Sequence, residues 1–467
     1  MMRNAAPLTC LLALLPRVAF AEGSQELGSQ FLSNDTVAWV DILDPTTEVL
    51  RWDGMGSVTI ADANGVALGT LASGGEMSFL AQPAGAFHVT FSADQRSNWD
   101  LSVQNATVEG GRLYAYYWNL DSGTWDETGA FNGSFYALVG AGGPGYDGVI
   151  EMKAEGLQGN RWQMAANGVG VEGDNAGRSV PEFNHTYVAE YPIYLNAPAI
   201  AHDNVMAPAV SEFRFTPDDP RCGGVAPGYG GGTFTFTSAT PGTYHISCDL
   251  NGDGVFDFST NADLTKAGYA TAGENEVWWD GNISEGRKVA AGSYTCKVTV
   301  TVGEFHFIAS DIETSFPGLR MFRVRKDLSR DAMKMVWNDE MVVSPDVPMP
   351  DGQMSFQTSG AGGLASGAYN AAATANTNAR AWGDFSENGK GNISLLDTYA
   401  WIQDTTSTEV ALHVVDASVD ENGDGIPDDC LYGYYYGGCS TAPRASWWPG
   451  LLALFSAILI GRRSTKT

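Results

Sequence analysis

Two stretches of the chain place oxygen-bearing side chains at alternate positions. In DLNGDGVFD, Asp249, Asn251, Asp253 and Asp257 occupy positions 1, 3, 5 and 9, with Gly254 at the turn and the Val255 carbonyl at position 7. In DENGDGIPD, Asp420, Asn422, Asp424 and Asp428 repeat the spacing, with Gly425 at the turn and the Ile426 carbonyl at position 7. A hard cation such as Ca2+ takes roughly six to eight oxygens at flexible distances, and alternate residues of a tight loop deliver them to one centre. The spacing therefore points to two calcium loops. Position 12 is Thr260 in one loop and Leu431 in the other, so the EF-hand, which places a carboxylate there, is not expected. Asp263, Asp416 and Asp429 are further possible ligands. Asn-Gly and Asp-Gly pairs also make hairpin turns without metal, and that alternative stays open.

The run Asp-Gly-Ile-Pro-Asp at Asp424 to Asp428 resembles a thrombospondin type 3 repeat in a single copy. The resemblance implies calcium-dependent order in the loop.

The flanks of the first loop show what must position it. In SYTCKVTVTV, Tyr294, Cys296, Val298, Val300 and Val302 share one face while Thr295, Lys297, Thr299 and Thr301 share the other. A strict period of two is the pattern of a half-buried strand. TYHISC sets Tyr244, Ile246 and Cys248 on one face, and GGTFTFT does the same with Phe234 and Phe236. The segment from Asn275 to Val300 resembles the immunoglobulin-like domain of the flagellar hook-capping protein family. Trp279 to Gly281, Gly286 and Ala291 to Tyr294 carry that resemblance. It implies a β-sandwich and carries no flagellar role, because a fold hosts many functions.

Cys222, Cys248, Cys296 and Cys430 allow three pairings once Cys10 and Cys439 are set aside. Cys248 and Cys296 both point with apolar residues of the same expected sandwich, so their bridge is favoured. No CxxC or CxxH spacing suggests zinc.

The remaining chain also reads as strands. LRWDGMGSVTIADANGVALGTLASGGEMSFL alternates apolar runs with Asp-Gly, Asn-Gly and Gly-Gly breaks, as hairpins require. The expected fold class is mainly β, with tandem immunoglobulin-like sandwiches. β-rich domains are expected over 22–108 and 109–205, and an immunoglobulin-like domain with its calcium loop over 206–328. A β-rich region with a small-residue linker covers 329–415, and the second calcium loop 416–430.

Both ends suggest export. Arg3, the apolar run Leu8 to Leu15 and Ala19-Phe20-Ala21 form a secretory signal over 1–21 with cleavage after Ala21. At the other end, 431–467 holds a spacer, Cys439, an apolar run from Trp447 to Ile460, and Arg462, Arg463 and Lys466. A helix over that run extends about 21 Å against roughly 30 Å of bilayer hydrocarbon, so it spans poorly. This arrangement resembles the MYXO-CTERM sorting signal of myxobacteria. The resemblance implies removal of the tail near Cys439 and display on the outer membrane or cell surface. A permanent tail anchor is the alternative.

With 54 acidic and 26 basic residues, a formal charge of −28 repels phosphate backbones, and nucleic acid is not an expected partner. Membrane contact runs through the tail or a processed Cys439, and a surface protein or polysaccharide is the expected class of partner. No HExxH or GxSxG occurs, and His88, His185, His202, His245, His306 and His413 show no ligand spacing. The expected function is that of an exported, surface-anchored, calcium-stabilised structural or adhesive protein and not an enzyme. The alternative is a secreted carbohydrate-binding or hydrolytic protein.

Overall fold

The computed structural model describes residues 22–432 apart from 97, 109, 124–128, 141–146, 172–176, 184, 200–207, 255, 257–262, 284–287, 313, 334, 339–341, 343–355 and 359–393. Ala21, Val255, Asp257, Cys439 and the apolar end therefore lie outside the described residues. The fold is mainly β, built from antiparallel sheets. Among the described residues the helices are Ser24–Leu27 and Asp428–Tyr432, about one turn each.

The strand Gly292–Ser310 organises the molecule. Its alternation places Cys296, Val298, Val300 and Val302 inside. Along one edge, residues 295–301 pair with Gly242–Asp249, while residues 306–310 pair with Arg161–Asn167. Along the other edge, residues 292–296 meet Val410–Val414, and residues 299–310 meet Ser394–Thr406. The change of neighbours brackets Gly303, whose φ of 71° is a conformation that glycine adopts without steric penalty. A single strand thus enters two cores.

The first half of that strand belongs to a sandwich. One sheet contains Leu264–Ala270, Gly242–Asp249, Gly292–Ser310 and Val410–Val414; the other contains Val210–Pro217, Gly232–Ser238 and Gly273–Trp279. Between them lie Phe234, Phe236, Ile246, Trp279, Val298 and Leu412. Each such side chain, once buried, contributes about 1.5–3 kcal/mol. The Trp-Asp-Gly segment is used structurally: buried Trp279 donates its indole N–H to the Asn282 carbonyl at 2.7 Å, and Gly281 turns with φ 84° against Pro227.

The second half of the strand covers a larger core. A ten-stranded sheet runs from Arg330–Ala332 to Ala67–Ala72, and a four-stranded sheet from Glu22–Gly23 to Gly75–Ser78. Their apolar faces share one cluster that reaches from Leu27 to Ile402. The pairing crosses the boundaries expected from sequence. Leu113–Ala115 pairs with Val37–Ile42, and Thr314–Val324 pairs with Asp147–Gln158. Strand alternation puts Ala38, Val40 and Ile42 into this core, leaving Trp39 on the opposite face.

Candidate functional site

The two loops singled out by spacing adopt one local geometry. Asp249 accepts hydrogen bonds from the amides of Gly252, Asp253 and Gly254 at 2.7, 3.2 and 2.9 Å. Asp420 accepts from Gly423 and Gly425 at 2.8 and 2.9 Å. Asn251 and Asn422 each accept from the amide two residues on, at 3.0 and 2.8 Å. The glycines of both loops, Gly252 and Gly254, Gly423 and Gly425, all have φ between 72° and 81°. That left-handed backbone is why the Asn-Gly-Asp-Gly order is needed: a side chain at those positions would be strained.

The donor sets are all oxygen and mostly exposed. No described Lys or Arg forms a salt bridge with Asp249, Asp420, Asp424 or Asp428. The chemistry of this donor set fits a hard cation: Asp249, Asn251 and Asp253 would hold it in one loop, and Asp420, Asn422 and Asp424 in the other. Asp428 uses one oxygen to accept from the Glu421 amide at 3.1 Å, and Ile426 is partly buried. Asp263 accepts from the Leu250 amide at 3.0 Å and so braces the first loop from its far side. Among the described residues, no group of three or more His, Cys, Asp or Glu side chains forms a metal-holding cluster.

Disulfides hold both loops to the sandwich. Cys248 and Cys296 stand in register on neighbouring strands and are bonded immediately before Asp249. Cys222 is bonded to Cys430, two residues after Asp428, and both pack with Ala226, Tyr229, Val415 and Ile426. Both pairs are thus at disulfide distance, the first as side-chain parity suggested.

A second constellation had no sequence signal. Two hollows of about 480 and 380 Å3 share Asp35, Asn119 and Gln163 and form one groove. Asn119 stands opposite Gln163, and Gln163 opposite Ser310, so three strands lay a polar row toward Asp311. The side chains of Asp35, Asn119 and Gln163 make no hydrogen bond to any described residue. Burial, with Glu182 adding like charge, raises the Asp311 carboxyl to about 6. Its φ of 60° sets its backbone in the left-handed region.

At the other end the groove is aromatic. Trp39 contacts His88 with ring centroids 3.5 Å apart, stacks parallel to Tyr114 at 6.2 Å and meets Tyr116 edge-on at 6.2 Å. Register explains the set: His88 and Tyr114 are the cross-strand partners of Trp39 on either side. These rings come from residues 39, 88, 114 and 116, and the polar groups from 35, 119, 163 and 311. No local spacing could link them.

Buried polar groups also lie away from the groove. His306 donates from Nδ1 to Asp397 at 2.7 Å, with both side chains inside and Tyr399 stacked on the imidazole at 4.7 Å. The Asp397 carboxylate also accepts from the Val171 amide, and its backbone amide donates to the Ser179 hydroxyl. Burial pushes His245 down to about 3. Among the described residues, no helix is long and apolar enough to cross a membrane. The chain matches no protein-family model, no curated protein and no solved structure.

Proposed function

We propose that this is an exported, surface-displayed protein of a Gram-negative, myxobacteria-like cell, with a structural or adhesive role and with loops ordered by calcium. The observation that carries the reading is the shared geometry of the Asp249 and Asp420 loops. Two segments 171 residues apart in sequence use the same first-position carboxylate, the same Asn and the same pair of left-handed glycines. An ordinary hairpin needs only one such turn and no alternating carboxylates. Calcium bound there would neutralise crowded negative charge in a protein of formal charge −28.

The sandwich around Phe234 and Trp279 supports an immunoglobulin-like reading of this unit. The Cys222–Cys430 bridge supports its use as a stiff base, since it holds the last described segment on the body before the chain continues toward Cys439. Cleavage after Ala21 and sorting at Cys439 complete the proposal. Its test is made on cells. Protease added to intact cells should digest the protein, and mass spectrometry of the mature form should find an N-terminus at Glu22 and no peptide beyond the Cys439 region. An uncleaved Met1 or protection from external protease would refute surface display.

A second reading, glycan hydrolysis, has one observation in its favour: Asp311, held near 6, beside Glu182 in an open groove. Release of reducing sugar that vanishes in Asp311→Asn would establish it, and no release at pH 5 to 7 would remove it.

A further inference from the structure

We infer that the groove between Trp39 and Asp311 binds a neutral oligosaccharide. This deepens the adhesive reading by naming its ligand class, and rests on that reading for its biological setting. The argument starts from the mixture of surfaces. A sugar ring has apolar C–H faces and a rim of hydroxyls, so its receptor needs a flat aromatic wall beside hydrogen-bonding groups left free by the fold.

Both are present and adjacent. Trp39 is half-buried on the outer face of its strand, held by His88 on one side and Tyr114 on the other, with Tyr116 edge-on to it. Rings packed in this way lose little freedom when a ligand stacks on them. Within the same hollow stand the Asp35 carboxylate and the Asn119 and Gln163 amides, which make no hydrogen bond to described residues. A carboxylate accepts from hydroxyls, and an amide both donates and accepts, which suits vicinal hydroxyl pairs. The register Asn119, Gln163, Ser310 then continues the polar row into the second hollow, so the ligand is an elongated chain and not a single ring. Hollows of about 300–1,000 Å3 are the usual size for small-molecule ligands.

Charge selects among saccharides. The second hollow carries Asp35, Asp94, Asp121, Glu182 and Asp311 against Arg96 and Arg161. Arg161 is engaged by Asp121 at 3.4 Å, and Arg96 lies over the Phe31 ring at 4.8 Å. A uronate or sulfated chain would be repelled, whereas a neutral one is not.

The experiment uses the purified full chain and isothermal calorimetry with cellohexaose, chitohexaose and maltohexaose, with hexagalacturonate as the anionic comparison. At least one neutral hexasaccharide should bind, and hexagalacturonate about tenfold or more weaker. Trp39→Ala and Gln163→Ala should each weaken binding by about tenfold, the loss of one good contact. Gln163 is exposed, so its variant keeps the fold and the test remains decisive if Trp39→Ala unfolds. No binding by any neutral hexasaccharide, or binding unaltered in Gln163→Ala, overturns the inference while leaving surface display and the calcium loops standing. Binding by a protein that proves not to be surface-displayed would instead remove the adhesive setting alone.

Discussion

Cys222 is bonded to Cys430 across 208 residues of sequence, closing the Asp420 loop onto the segment that leads into strand Gly232–Ser238. Besides this bridge, the short helix Asp428–Tyr432 is held by the cluster of Ala226, Tyr229, Val415 and Ile426 and by hydrogen bonds of Asp428 with Val419 and Glu421. Cys430→Ser should therefore leave the sandwich folded while making the chain near residue 425 sensitive to limited proteolysis. An unchanged cleavage pattern would show that packing alone holds the loop.

The other bridge lies within the sandwich core and closes a 48-residue segment. In the chain-entropy view a loop of that size contributes about 4 kcal/mol. Cys248→Ala with Cys296→Ala should lower the stability of the oxidised protein by about 2–4 kcal/mol, read from urea unfolding. An unchanged urea midpoint in that double variant would contradict its role in the core.

Much of this region was legible. The alternation of Tyr294 to Val302 named the buried face, and side-chain parity placed Cys248 with Cys296. What alternation could not show is that the strand runs on to Ser310 and exchanges Gly242–Asp249 for Arg161–Asn167 past Gly303. Pairing partners so distant in sequence depend on topology, which a local period does not encode. The shared turn geometry of the Asp249 and Asp420 loops was visible because the hydrogen bonds that make it are local. The groove was not, because Asp35, Trp39, Asn119, Gln163 and Asp311 meet only through register.

Buried His306 depends on Asp397 for its Nδ1 partner. Asp397→Ala removes that acceptor and also strands the Val171 amide, so stability should fall by about 3 kcal/mol in urea titration. Asp397→Asn, which keeps an acceptor oxygen, should recover part of the loss. Equal losses in the two variants would show that packing and not the hydrogen bond matters here.

Glu22 sits inside the protein, its carboxyl accepting from the Gly111, Arg112 and Leu113 amides at 2.9–3.0 Å. Burial outweighs these donors and raises the group from 4.5 to about 7. A raised carboxyl binds its proton more tightly in the folded state. Its contribution is thus complete below about 4.5 and lost as pH rises through 7. Asp311 works in the same direction up to about 6, whereas His245, lowered to about 3, favours folding above its usual 6.5. Glu22→Gln should therefore flatten the decline in stability between pH 5 and 8. An unaltered slope in urea midpoints across that range would contradict the assignment.

The central claim is that calcium orders the two loops, and a thermal melt of the purified protein with calcium and with chelator tests it most directly. Extracellular loops of this kind bind in the range of about 0.1–1 mM, and calcium at tenfold its Kd adds about 1.4 kcal/mol per site. Calcium should raise Tm, and the rise should shrink in Asp253→Ala and again when Asp424→Ala is added. Equal melting with calcium and chelator in the unmodified protein would mean that both loops are plain turns, and the calcium-stabilised account would fall.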